Sequence, residues 1–170
     1  MIEPPISKAT LKWSRDYDHN HVCGRDAYVE HPAIFRKLRI PYKVINGCAQ
    51  PTPMLVRYRL LDTPWGSLNV HHFLRGDEDR ELHDHPFAFA TLILKGGYLE
   101  ELPYPRMRVI RWPGSILFRP AKWTHRVDLL GSGAWTLIAM TKKQREWGFH
   151  TAGGWMPFRE YHSIAGCAEE

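Results

Sequence analysis

His83-Asp84-His85 and, forty residues beyond His85, His125 are the side chains of this 170-residue chain whose types and spacing point most directly to chemistry. On an extended segment two histidines separated by one residue project from the same face, because strand side chains alternate with period two. They make a ready pair of imidazole ligands. His125 falls in Trp123-Thr124-His125-Arg126-Val127-Asp128-Leu129-Leu130, a β-branched and aromatic run that predicts a second strand with Trp123, His125, Val127 and Leu129 on one face. Where that face meets the one carrying His83 and His85, three neutral nitrogens converge on one divalent metal. Imidazole suits iron, zinc, nickel, manganese and copper alike, so ligand type does not select the ion. An open site with little negative charge is compatible with Fe(II) binding oxygen and a bidentate substrate, and Fe(II) is the expected cofactor.

Other side chains could join this chemistry. Asp84 points away from its flanking histidines, where it could hold Arg80, Arg126 or the ligand-bearing strand, or stand in water. His71 and His72 are adjacent, so one faces in and one out; His72 shares its phase with Leu68, Val70 and Leu74, and His71 with Asn69 and Phe73. Either could be a fourth ligand, an outer partner of a ligand, or a general base. Arg119, leading into Pro120, could clamp a substrate carboxylate or phosphate, or pair with a surface acid. His72 and Arg119 are the candidate catalytic residues. Phe87, Phe89 and Thr91 continue the face of His83 and His85 and would line a mostly apolar interior. Glu100 and Glu101 follow the Gly96-Gly97 turn; one could supply a carboxylate to the site, but adjacent strand acids are more often solvated. His19, His21 and Cys23 alternate near the N-terminus without the further ligands that a zinc or calcium loop needs.

The elements that must position these residues read as strands. Met54–Leu61, Ser67–Leu74, Pro86–Lys95, Tyr98–Leu102, Arg106–Trp112, Ser115–Phe118, Trp123–Leu130 and Ala134–Thr141 are short β-prone runs, punctuated by turns such as Lys95-Gly96-Gly97 and Gly131-Ser132-Gly133. That is what a double-sheet, all-β jelly roll requires. Residues 1–53, broken by Pro4, Pro5, Pro32, Pro41, Pro51 and Pro53, are expected to form an irregular arm wrapping a barrel of residues 54–141, with short helical character near Ala33–Leu38. Residues 142–170 make a basic, then aromatic tail packed on the barrel, with a short helix expected over Pro157–Ile164.

Pro86 to Lys95, Gly96-Gly97, Pro113-Gly114-Ser115, Arg119-Pro120-Ala121 and His125 resemble the two motifs of the cupin superfamily, over roughly residues 54–141. The resemblance implies a double-stranded β-helix with a metal held by His83, His85 and His125. Most cupins carry a metal-binding glutamate four or five residues after the second histidine, where this chain has Phe89 and Ala90. What is left resembles the three-histidine sites of thiol dioxygenases and diketone-cleaving cupins. Leu82 to Gly97, Trp147-Gly148-Phe149 and Phe158-Arg159-Glu160-Tyr161 also look like a group of short, mostly uncharacterised bacterial and phage cupins. The resemblance therefore implies a metal-dependent dioxygenase acting on a small molecule or a modified residue or base. Its competitor is a non-catalytic binding module with a structural metal or a vestigial site. Cupin isomerase or epimerase chemistry lacks an evident His-Asp catalytic pair here.

Composition sets the bounds. The length suits one domain, 44% hydrophobic residues is ordinary, and seven each of Trp, Tyr and Phe can build a core and pocket walls. A net charge of +5 and a pI near 9.2 permit nucleic acid as a partner without requiring it. The arginines at 57, 59, 106, 108, 111 and 119 are spread along strands, a pattern expected of a solvated sheet face. No apolar run suits a membrane span or a secretory signal, and three unpatterned cysteines, Cys23, Cys48 and Cys167, suit a reducing compartment, so a cytoplasmic protein without disulfides is expected. The expected partner is a small-molecule substrate, with a homodimer left open. No Gly-rich phosphate loop, nucleophile elbow or Cys-His protease pattern is present.

Overall fold

Strict alternation over Ala134–Thr141, with Ala134, Thr136, Ile138 and Met140 buried and their neighbours facing out, marks the strand on which the larger sheet is organised. The computed structural model describes residues 30–47, 53–77, 79–103 and 107–164; the three cysteines and the His19-His21-Cys23 pattern lie outside the described residues. In chain order the elements are α1 (Ala33–Lys37), β1 (Tyr42–Asn46), β2 (Pro53–Asp62), β3 (Gly66–Phe73), β4 (Leu82–His83), β5 (Phe89–Lys95) and β6 (Tyr98–Leu102). They continue with β7 (Met107–Arg111), β8 (Ile116–Arg119), β9 (Arg126–Leu129), β10 (Ala134–Thr141), β11 (Gly148–Thr151), β12 (Gly154–Pro157) and α2 (Phe158–Ile164). No helix among the described residues is long and apolar enough to cross a membrane.

Six antiparallel strands in the order β1-β2-β3-β10-β5-β8 form one layer. Two three-stranded sheets, β12-β11-β4 and β7-β6-β9, form the other. Among the described residues they are joined by one antiparallel bridge, between His83 and His125. Between the layers lies an apolar cluster of Ile93, Tyr98, Leu117, Val127 and Ala134, with Phe73 and Leu129 against it. This is the β-sandwich of a jelly roll. The turn from β5 to β6 depends on Gly96, whose φ is +76° and whose added Cβ would meet the Gly133 carbonyl oxygen at 2.2 Å.

Three local readings need correcting. The segment expected to be an irregular arm contributes a strand: Tyr42 and Val44 of β1 pair with Tyr58 and Val56 of β2, and with Phe35 and Ile40 they pack on the outer face of the large sheet. Alternating apolar residues after Pro41 can join a sheet edge as readily as any barrel strand, and the prolines before them do not forbid it. The expected strand Pro86–Lys95 starts only at Phe89. Pro86 has no N–H for a ladder, and there the chain leaves the layer of β4 for the layer of β5. The arginines do not make one solvated face, since Arg57 bonds His71, and Arg111 and Arg119 bond Glu100.

The tail is tied to the site by Asp84. This carboxylate is buried; it accepts the Gly148 N–H at 2.8 Å and the Trp155 indole N–H at 3.0 Å, and pairs with Arg145 at 2.6 Å. Its partner is therefore Arg145, and neither Arg80 nor Arg126. The β11–β12 hairpin carries Trp147 and Phe149 onto His83, and α2 backs them, with Phe158 stacked on Trp147 at 4.8 Å and Tyr161 on Phe149 at 4.0 Å. Asp84→Ala removes a buried carboxylate and strands an arginine that is only partly exposed, so it should cost about 2–3 kcal/mol in urea unfolding and loosen the hairpin first, which amide exchange at Gly148 and Phe149 would register.

Candidate metal centre

Backbone pairing builds the site. The His83 N–H donates to the His125 carbonyl at 2.9 Å and the His125 N–H returns the bond at 3.0 Å, so the two side chains stand opposite one another on one face. His85, two residues on, keeps that face, its N–H held by the Ala121 carbonyl at 3.0 Å. Ring centroids are 5.1 Å apart for His83 and His85, 5.3 Å for His83 and His125, and 4.9 Å for His85 and His125. One nitrogen from each ring lies within 4.8 Å of the others. The Nε2 atoms of His85 and His125 are 2.9 Å apart, close to the roughly 3.0 Å expected for two nitrogens about 2.1 Å from one ion at a right angle. The donor set fits a divalent metal.

Burial favours the neutral, ligand form of His83 and His85, and a hydrogen bond fixes the tautomer of His125. Glu100 is fully buried, and its Oε1 takes the Nδ1 proton of His125 in a 2.9 Å hydrogen bond, leaving Nε2 for the site. Three further donors hold Glu100: Arg111 Nε at 2.7 Å, Arg119 Nη2 at 2.8 Å and Trp123 Nε1 at 3.2 Å. Burial alone would raise its carboxyl, but the hydrogen bonds from His125, Arg119 and Arg111 outweigh burial and hold it well below the usual range. On the other side, Asp77 Oδ2 lies 3.8 Å from His83 Nδ1 and accepts the Val127 N–H at 2.6 Å. Burial lowers His83, partly offset by Asp77, and burial together with the two neighbouring rings pushes His85 well down. Neutral imidazole, the form a metal needs, is thereby preferred at His83 and His85.

The walls are aromatic. Phe89 sits edge-on to His85 at 4.7 Å and Phe87 stacks on it at 6.2 Å, while Trp147 and Phe149 flank His83, each at 6.1 Å. Phe89, one of the two positions where the cupin resemblance leads one to expect a carboxylate, thus packs against His85, and Ala90, one residue along β5, faces the other side of the sheet. Among the described residues the group placed to hold the ion is three histidines and no acid.

The structure brings His83, His85 and His125 together but places the other candidates elsewhere. His72 lies on the outer face of the six-stranded sheet, stacked on Trp135 at 3.9 Å, because it shares its phase with Val70, which belongs to the outer cluster. His71 faces inward and accepts a hydrogen bond from Arg57 at 2.9 Å. Arg119 grips Glu100 and lies over the Trp123 ring at 4.0 Å, so its fork is already engaged. Glu100, expected in water, is the buried residue on which the site turns, and Asp77 was not foreseen. A sequence signal for Glu100 existed: it alternates with Tyr98 and Leu102, and a carboxylate in phase with two core residues must face the core too.

Glu100→Gln keeps the shape of the side chain but removes the charge that fixes the His125 proton on Nδ1. Divalent-metal affinity, measured by competition with a chromophoric chelator, should fall about tenfold to a hundredfold while the far-ultraviolet spectrum of the β-fold persists. Unchanged affinity would show that His125 needs no such partner.

No protein-family model matches the sequence, and no curated protein matches it either. Solved structures do match. A cupin-2 domain protein from Rhodospirillum rubrum superposes with a TM-score of 0.54 at 15% identity, over 78% of this chain and 86% of that one. The polyketide cyclase RemF from Streptomyces resistomycificus superposes with a TM-score of 0.57 at 13% identity, over 81% of this chain and 94% of that one. At such identities the likeness speaks for architecture alone. With its jelly-roll layers and these structural likenesses, this chain has the cupin fold, and it carries three clustered histidines.

Proposed function

We propose that the protein is a metalloenzyme that binds one divalent metal through His83, His85 and His125, and that with Fe(II) it acts as an oxygenase or dioxygenase on a small molecule. The observation that carries this reading is the neutral donor set, three imidazoles converging within 4.8 Å with Phe89 in place of a carboxylate. Three ligands leave coordination positions for others, and an uncompensated dication attracts anionic or bidentate groups. A ferrous ion would supply Lewis acidity and exchangeable positions for oxygen and substrate. The chain's own residues do the rest. Glu100 orients the His125 ring, Asp77 sets a negative charge 3.8 Å from His83 Nδ1, and the Phe87, Phe89, Trp147 and Phe149 rings keep water from the reacting groups.

Metal analysis and nitric oxide binding test the proposal together. Purified protein reconstituted with Fe(II) under anaerobic conditions should hold close to one ion per chain and give a ferrous-nitrosyl resonance. His85→Ala should abolish that signal, and the double variant His83→Ala, His125→Ala should lose the metal. A tightly held, coordinatively closed zinc, or nucleic-acid retention that survives loss of the triad, would favour a binding module instead.

Phe89→Glu places a carboxylate beside His85. It should tighten divalent-metal binding by about tenfold or more and lower the stability of the metal-free protein, since an acid buried without the ion is costly. Ala90→Glu, on the opposite face, should leave metal affinity unchanged. Equal effects of the two would mean that Phe89 does not face the ion.

A further inference from the structure

One inward row of the six-stranded sheet is polar where a sandwich interior is ordinarily apolar. Cross-strand pairing sets Arg57, His71 and Thr136 directly opposite one another on β2, β3 and β10, and Asn69 is the next inward residue along β3. Arg57 Nε donates to His71 Nε2 at 2.9 Å. Among the described residues, no carboxylate pairs with its guanidinium. Burial pulls Arg57 down to about 10 with no acid to oppose it, and the same burial, with Arg57 nearby, keeps His71 neutral. Two more atoms are left over, since Thr136 Oγ1 and Asn69 Oδ1 are buried without a hydrogen-bond partner among the described residues, while Asn69 Nδ2 is held by Ser67 Oγ at 3.0 Å.

A cation without a counter-ion and two unsatisfied polar atoms on adjacent rungs destabilise a fold unless something else completes them. The chemistry of the missing group follows from the donors. The guanidinium fork matches a carboxylate or phosphate, the Thr136 hydroxyl can donate to the same anion, and Asn69 Oδ1 can accept from a neighbouring hydroxyl or ammonium. The row shares its face with Phe89 of β5, whose ring lies against His85 of the metal centre. Thr136 is opposite Ile93, four residues along β5 from Phe89, which is about 13 Å of strand, and Asn69 lies one rung nearer, across Ile138 from Thr91.

We propose that Arg57, with Thr136 and Asn69 beside it, binds the anionic end of the substrate, a carboxylate or phosphate flanked by a hydroxyl or amine, and that this molecule is long enough to reach the histidine triad with its other end. The second half rests on the metal-centre reading; anion binding does not.

The test uses the full-length protein, metal-free and metal-loaded, titrated with inorganic phosphate and with succinate at constant ionic strength against a chloride control, followed by calorimetry and thermal unfolding. At least one of the two anions should bind and raise the melting temperature of the wild type in both metal states. Arg57→Gln should weaken that binding about tenfold or more, Arg57→Lys less, and Thr136→Val severalfold. His85→Ala should lose metal yet keep anion binding. If Arg57→Gln does not fold, the lysine and valine variants carry the same comparison. A wild type that responds to neither anion above chloride overturns the proposal, as does binding that is indifferent to Arg57 and Thr136. Intact, Arg57-dependent anion binding in a protein that takes up no metal would sink the metal-centre reading and leave the anion site standing.

Discussion

The paired backbone hydrogen bonds between His83 and His125 carry more of this structure than their number suggests. They join the β12-β11-β4 and β7-β6-β9 sheets into one layer facing the six-stranded sheet. They also set two imidazoles side by side, because residues opposed across an antiparallel bridge share a face. Layer closure and ligand convergence are one event. His85 follows from the period of the strand, and the Trp147 and Phe149 walls follow from the hairpin that pairs with β4. The centre is thus assembled on hydrogen-bonded backbone, with His83 on β4, His85 two residues beyond it and His125 at the bridge before β9.

Glu100 extends that preorganisation through charge. A carboxylate with no solvent exposure, surrounded by two guanidiniums, an indole N–H and an imidazole N–H, is hydrogen-bonded thoroughly enough to remain ionised. Its stabilising value is small, since burying the partners offsets much of their attraction, and an apolar cluster of equal volume would serve the fold as well. What the arrangement supplies is direction. It fixes the tautomer and plane of His125, and it consumes Arg119, which the sequence alone leaves open for substrate. The interior therefore divides into an acid-buttressed histidine centre and, on the β2-β3 side, an arginine with no acid beside it among the described residues.

Two apolar clusters share the task of holding the sheets. The inner one, around Ile93 and Tyr98, separates the layers, and the outer one, around Val56, Tyr58 and Val70, is built with Phe35, Tyr42 and Val44 from the N-terminal segment. Burying side chains of this size contributes about 1.5–3 kcal/mol each, so the stretch from Phe35 to Val44 is part of the fold's stability. His72 belongs to that outer cluster. Its stacking on Trp135 explains why a histidine adjacent to an inward-facing one has no part in the metal centre.

Period-two patterning was enough to read eight of the strands, though Pro86–Lys95 and Trp123–Leu130 begin only at Phe89 and Arg126, together with the turn at Gly96, the short helices at both ends and the shared face of His83 and His85, because each depends on neighbours a few residues apart; it missed β4 and the β11–β12 hairpin. The meeting of His125 with that pair was legible only through motif spacing, and it took the bridge to make it a contact. The rest depended on long-range pairing. Tyr42–Asn46 became a strand because a sheet edge was there to receive it, and Asp84 found Arg145 sixty-one residues away. Which of His71 and His72 faced inward was undetermined by an alternation that both satisfy, and the packing of Trp135 and Tyr58 outside the sheet decided it. Whether Arg57, Arg111 and Arg119 met water or the interior was likewise undecided by their spacing. Alternation places a residue on one of two faces, and only the partner sheet determines which of them is buried.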